Sequence, residues 1–174
     1  MSLNFKEKLG RVKAIIFDVD GVLGSNKLLL QPNGEMLRFM NIKDGYAIQY
    51  AIKQGMLMAI ISGGNNESVR TRFSNLGIKD IYLKSQNKID NFNEFVQKYE
   101  LDPETILYMG DDIPDYEVMS KVGVACCPAD AAIDIKGISM YVSPFAGGDG
   151  CARDIIEQVL KVQGLWMTND AVKW

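Results

Sequence analysis

The sequence predicts an α/β fold, a Rossmann-like parallel sheet with helices on both faces, and three observations predict it. Short apolar runs such as "VKAIIFDV", "MLMAIIS" and "TILYMG" alternate with amphipathic stretches at helical spacing, the pattern of repeated βαβ units. Polar residues follow directly on those runs: Asp18 and Asp20, then Ser62-Gly63-Gly64, then Gly110-Asp111-Asp112. In open parallel sheets the ligand crevice lies outside the carboxyl ends of the strands, so three strand ends would deliver polar groups to one rim. The length, 174 residues, suits one domain with a core of its own, spanning 1–174.

In chain order, "VKAIIFDV" reads as a buried strand. "LLLQPNGEMLRF" follows as two short extended pieces around a Pro-Asn-Gly turn, a hairpin flap over about 27–39. "DGYAIQYAIKQG" reads as a helix from near Asp44, stopped by Gly55. "MLMAIIS" is the next strand, and "NESVRTRFSNLG" a helix with Val69, Phe73 and Leu76 on one face. "IKDIYL" is a strand; Ile89, Phe92, Phe95, Val96 and Tyr99 then recur at helical spacing behind Lys88. "TILYMG" precedes a short helix, "PDYEVMSKVG", with Pro114 near its start. "VACC" and "SMYVS" are further strands, "GCARDIIEQVLKVQG" is a closing helix, and 164–174 is a tail carrying Trp166 and Trp174 without regular pattern.

Composition narrows the chemistry. Net charge is -3, which offers no basic face to nucleic acid or anionic membrane. No apolar stretch approaches a membrane span, and "MSLNFKEKLG" lacks a signal-peptide core. Three cysteines, two of them adjacent, suit reduced thiols and a cytoplasmic location better than a disulfide framework. Met56 and Met58 read as core packing. Histidine is absent, which removes Ser-His-Asp and Cys-His nucleophile systems and imidazole zinc sites. Acid–base and metal work must fall to carboxylates, lysine and hydroxyls.

Four acids, Asp18, Asp20, Asp111 and Asp112, meeting at one rim would repel each other unless a cation sat between them. Mg²⁺ suits that set, because it accepts a few carboxylates together with water and substrate phosphate. Such a site points to phosphoryl transfer, in which a carboxylate can itself be the nucleophile. Ser62, with Gly63 and Gly64 behind it, can offer a hydroxyl and bare N–H groups to a phosphate at a helix N-terminus, and Lys88 can supply the positive charge.

"DVDGVL", Ser62, Lys88 and "GDDIPD", in this order and spacing, resemble the four motifs of the haloacid dehalogenase (HAD) superfamily of phosphatases. "NIKDGYAIQ" and "GGDGCARDIIE" resemble a small tetrameric branch of it that lacks a large cap domain. The resemblance covers about 12–162. It implies that Asp18 takes the phosphoryl group, and that Asp20 protonates the leaving oxygen and then activates water. Asp18 and Asp111 would ligate Mg²⁺ through side chains and Asp20 through its carbonyl, with Asp112 nearby through water or hydrogen bonds. Ser62, Gly63 and Lys88 would hold the phosphate.

For the branch, the implied substrate is an eight- or nine-carbon 2-keto-3-deoxy sugar acid phosphate: 3-deoxy-D-manno-octulosonate 8-phosphate (KDO 8-phosphate) first, in lipopolysaccharide inner-core synthesis, with 2-keto-3-deoxynononate (KDN) 9-phosphate as the alternative. A non-catalytic scaffold subunit is the rival of another class. The implied assembly is a homotetramer in which neighbours close each other's sites. Arg70 and Arg72 are the candidates to pair with the substrate carboxylate, with a neighbour's copy included. Arg153 reads as a structural partner of Asp154 or Asp149. Two stretches depart from the branch: Gly24-Ser25-Asn26 replaces a threonine and an acid, and Gly64 stands where a charged residue is usual. Both bear on which sugar is read, not on the phosphoryl chemistry.

Overall fold

The computed structural model describes residues 3–168, 171 and 172. A short helix, α1 (Phe5–Leu9), leads into strand β1 (Ala14–Phe17). The hairpin β2 (Leu29–Leu30) and β3 (Met36–Leu37) follows, then α2 (Ile42–Lys53), β4 (Leu57–Ile61), α3 (Glu67–Asn75) and β5 (Asp80–Tyr82). Next come α4 (Lys88–Lys98), β6 (Ile106–Met109), α5 (Tyr116–Met119), β7 (Val124–Cys127), α6 (Ile133–Ile138), β8 (Tyr141–Val142) and α7 (Cys151–Val162).

Six strands form one parallel sheet in the order β5-β4-β1-β6-β7-β8. The chain runs outward from β1 to β4 and β5, then returns through α4 to β6 on the other side of β1. The reversal makes the β1/β6 boundary the topological switch point, where such sheets bind ligands. Helices cover both faces. Ile15 and Phe17 pack with Leu9, Ile48, Phe73 and Ile156, while Ala14 and Ile16 pack with Phe92, Phe95, Val118 and Ile135. Strands covered on both sides are apolar at every position, and β1, β6 and β7 are buried throughout. Among the described residues, the insertion between β1 and α2 is limited to the hairpin, so there is no large cap. No described helix is long and apolar enough to cross a membrane.

The structure adjusts several expectations from sequence. Helix α2 begins at Ile42, not near Asp44, because the Asn41 side chain caps it by accepting from the Lys43 N–H at 2.8 Å. "PDYEVMSKVG" is not one helix: residues Ile113–Asp115 form a 3₁₀ turn, and α5 follows. Helices α1 and α6 were not read from the pattern, since each is too short to show a period; α1 is set by an Asn4–Glu7 capping box. Arg153 pairs with Glu157 at 2.6 Å, rather than with Asp154 or Asp149. It also lies over the rings of Tyr46 and Trp166, where the tail returns to α2 and α7. Trp174 lies outside the described residues.

The stretches "NIKDGYAIQ" and "GGDGCARDIIE" meet in space. Asp44, 2% exposed, accepts from the Arg153 N–H at 2.8 Å and so caps α7 from another helix. Its second oxygen, Oδ2, has no hydrogen-bond partner among the described residues. Burial pushes the Asp44 carboxyl up to about 6 from an ordinary 3.8, against the pull of the Arg153 and Gly150 amides. The folded state therefore holds this proton more tightly than the unfolded chain does. Stability from this group is greatest below about pH 4 and is lost as pH rises through 6. Asp44→Asn keeps an acceptor for the Arg153 amide without the buried charge. Urea unfolding should find the variant more stable than the parent at pH 8 by about 1–3 kcal/mol, with the advantage gone at pH 4.

Candidate active site

Asp18 is the first residue beyond β1, and its amide donates to the Met109 carbonyl of β6 at 3.1 Å, which fixes the two strand ends side by side. Lys88 opens α4 and crosses from the opposite layer. Its Nζ lies 3.0 Å from Asp18 Oδ2 and 2.7 Å from Asp115 Oδ1, with all three side chains at most one-tenth exposed. The Tyr108 hydroxyl donates to the same Asp115 oxygen at 2.6 Å, and the Asp111 amide donates to the other at 3.2 Å. Asp115 is thus occupied on both oxygens. It acts as an anchor that holds Lys88 and the turn after β6.

Oxygens of Asp18, Asp111 and Asp115 all lie within 4.8 Å of one another. Burial first, and the Asp115 charge second, push the Asp18 carboxyl up to about 8 and the Asp111 carboxyl up to about 7. Burial alone would lower the Lys88 pKa, but Asp18 and Asp115 outweigh it and the net direction is upward. Three carboxylates against one ammonium leave excess negative charge in a low-dielectric site. A hard divalent cation with oxygen ligands fits that donor set, and Asp18 and Asp111 retain oxygens to offer it.

The loop that follows β1 is held from behind by glycine contacts. Gly21 has φ +90°, and a Cβ there would overlap the Asp111 carboxylate. Gly147 lies so close behind that its Cβ would overlap the Gly21 carbonyl, and the Gly148 amide donates to the Val22 carbonyl at 2.8 Å.

Asp18, Lys88, Asp111 and Asp115 border a cavity of about 610 Å³, also lined by Asp20, Ser62, Gly63, Gly64 and Asp112. Ser62 is buried at the end of β4, where its Oγ accepts from the Gly64 amide at 3.1 Å. Helix α3 does not begin at these glycines: it starts at Glu67 and is capped by Asn66, so on the Ser62 side the cavity is bounded by a loop, and the helix N-terminus that borders it is that of α4, at Asn87 and Lys88. Asp112 lines the cavity but turns its carboxylate to the Ile113 amide at 2.8 Å as a cap; Asp115 takes the place among the clustered acids expected for it. Asp20 faces Arg38, which donates to its two oxygens at 2.6 and 2.9 Å.

Neither Arg70 nor Arg72 lines this cavity. Arg70 pairs with Glu67 at 3.0 Å and donates to the Ile81 carbonyl at 2.8 Å, so it braces α3 against β5. Arg72 lines a separate cavity beside the hairpin. Three site residues escaped sequence reading. Asp115 was visible as the last acid of "GDDIPD". Tyr108 reads as core in an apolar strand. Arg38 gave no signal, because nothing in sequence fixes where a hairpin folds.

A switch-point crevice lined by carboxylates, a buried lysine and a serine defines a hydrolase of the phosphoryl-transfer type. A family model for haloacid dehalogenase-like hydrolases matches residues 57–155. The chain belongs to that family. Within it, the relatives are more particular. The 3-deoxy-D-manno-octulosonate 8-phosphate phosphatase of Escherichia coli K12 is 36% identical over 157 residues, covering 90% of this chain and 84% of the relative. The crystal structure of the Yersinia pestis 3-deoxy-D-manno-octulosonate 8-phosphate phosphatase superposes with a TM-score of 0.89 at 30% identity, covering 92% of this chain and 86% of that one. A Moraxella catarrhalis phosphatase of the same name, in complex with magnesium, phosphate and KDO, gives 0.88 at 26% identity and 91% coverage of both chains.

The buried network makes a stability test possible. Lys88→Met leaves Asp18 and Asp115 buried without their cation. Urea unfolding without divalent ions should show a loss of about 3–5 kcal/mol. Millimolar MgCl₂ should return part of that loss in the variant.

Proposed function

We propose that this chain is a Mg²⁺-dependent phosphatase that hydrolyses KDO 8-phosphate to KDO and inorganic phosphate, in the cytoplasm, for the lipopolysaccharide inner core. The observation that carries the reading is the placement of Asp18 at the β1/β6 switch point, 3.0 Å from Lys88 and beside Asp111, in a chain whose relatives bear that activity by name.

Asp18 attacks phosphorus through a carboxylate oxygen as the bond to the leaving sugar oxygen breaks, and Asp20 gives that oxygen its proton. Asp20 then takes a proton from the water that attacks the aspartyl-phosphate, which frees phosphate and restores Asp18. Lys88, the Ser62 hydroxyl and the Gly63 amide hold the phosphoryl oxygens throughout. Asp18, Asp111 and the Asp20 carbonyl would hold Mg²⁺, which supplies charge neutralisation on the phosphoryl group when bound.

The exposed apolar residues of the hairpin, with Leu30 at 70% and Phe39 at 71%, support packing against further copies of the chain as a homotetramer. Arg72 could then serve a neighbour's site. KDN 9-phosphate is the second reading, and the observation behind it is Gly64, which stands where the branch usually carries a charged residue.

Phosphate release with Mg²⁺ from KDO 8-phosphate, KDN 9-phosphate and neutral sugar phosphates tests the proposal. KDO 8-phosphate should be preferred, and Asp18→Asn should lower its turnover at least about 10³-fold without unfolding the chain. Preference for the nine-carbon substrate would replace the first reading by the second. Release from none of them, or full activity in Asp18→Asn, would end both.

A further inference from the structure

Arg38 stands between two cavities of opposite character. All three of its guanidinium nitrogens are engaged: Nε and Nη2 on the oxygens of Asp20 at 2.6 and 2.9 Å, and Nη1 on the Met36 carbonyl at 3.0 Å. Its side chain is 8% exposed, against 37% for Asp20, so the guanidinium is fixed beneath the hairpin and the acid reaches out to it. Gly64 leaves the room for this pair. A Cβ there would stand 3.3 Å from Arg38 Nη2 and 3.4 Å from Asp20 Oδ2.

On one side of the pair is the acid-lined cavity of Asp18. On the other is a cavity of about 400 Å³ beneath Leu29, Leu37 and Phe39, into which Arg38 and Arg72 both face and which no acid lines. Arg72 has no acidic partner among the described residues. A phosphate ester whose leaving group carries its own carboxylate fits this polarity, with phosphate at Lys88 and Ser62 and the acid end at the guanidinium groups.

We propose that Arg38 reads the carboxylate of the sugar acid, and that it does so by exchanging Asp20 for the substrate's carboxylate as its partner. This rests on the phosphatase reading above. One guanidinium–carboxylate fork replaces another, so the exchange is nearly balanced for an acid-bearing substrate. It is uphill for a neutral sugar, which offers the guanidinium no charge in return. Once released, Asp20 turns toward the leaving oxygen. Arg38 is thereby a specificity residue that ties recognition of the acid to the freeing of Asp20.

The test is a ratio: kcat/KM for KDO 8-phosphate over kcat/KM for D-arabinose 5-phosphate, a sugar phosphate without a carboxylate, with KDN 9-phosphate in parallel. Both values come from one preparation, so the ratio does not depend on how much of a variant is folded. In Arg38→Met the ratio should fall at least about 30-fold, most of it in KM, because a charge-assisted two-point contact is lost. Arg38→Lys should recover part of it, as a point charge without the fork. An unchanged ratio, whether both activities fall together or neither falls, overturns the proposal and leaves Arg38 a structural residue. A wild-type enzyme that prefers acid-bearing phosphates, with the preference intact in Arg38→Met, refutes Arg38 alone. A wild type with no such preference refutes the sugar-acid reading as well.

Discussion

The buried ammonium of Lys88, shared between Asp18 and Asp115, is the interaction on which the arrangement of this site depends. It joins the helical layer on one face of the sheet to the strand ends that carry the acids. The pair is not an efficient source of stability, since desolvation of buried ions offsets much of their attraction. What it provides is position. Asp115 is held by Tyr108, by Lys88 and by the Asp111 amide, so the lysine has few ways to move. Asp18 and Asp111 are left with free oxygens in a crowded, desolvated corner, an environment that asks for a divalent cation and an electrophilic phosphate.

A second set of constraints sets the shape of the loop that bears Asp18 and Asp20. The close approach of Gly147 to the Gly21 carbonyl, and the Gly148 amide on Val22, place the segment before α7 directly behind that loop. Asp44 then caps α7 from α2. The two branch-like stretches are therefore one structural device. They carry no phosphoryl chemistry themselves, yet they fix the backbone on which it is done, and a buried carboxylate with one unpartnered oxygen is part of what that arrangement costs.

The hairpin adds what the rigid sheet cannot. It is too small to enclose a substrate, and its leucines are left in solvent in the single chain. Through Arg38 it nonetheless reaches Asp20. On the proposed reading, a flap of about a dozen residues would set which leaving group is accepted, while the residues proposed to hold phosphate sit on strand ends and on α4.

Much of this was determined by the sequence alone. Alternating apolar runs and helical patterns are local signals, and they were enough for the order along the chain of the strands and of every helix but α1 and α6, for the parallel sheet, and for the polar residues that end β1, β4 and β6. Asp18, Asp111, Ser62 and Lys88 could be named because each sits at a strand or helix terminus, where topology leaves few directions for a side chain. Tertiary structure decided the rest. The register between layers is not local, so only folding could bring Lys88 to Asp115, send Arg70 to the Ile81 carbonyl and set Arg38 on Asp20. Pairings between residues far apart in sequence depend on how layers pack and where loops cross, and no periodicity in the chain encodes them.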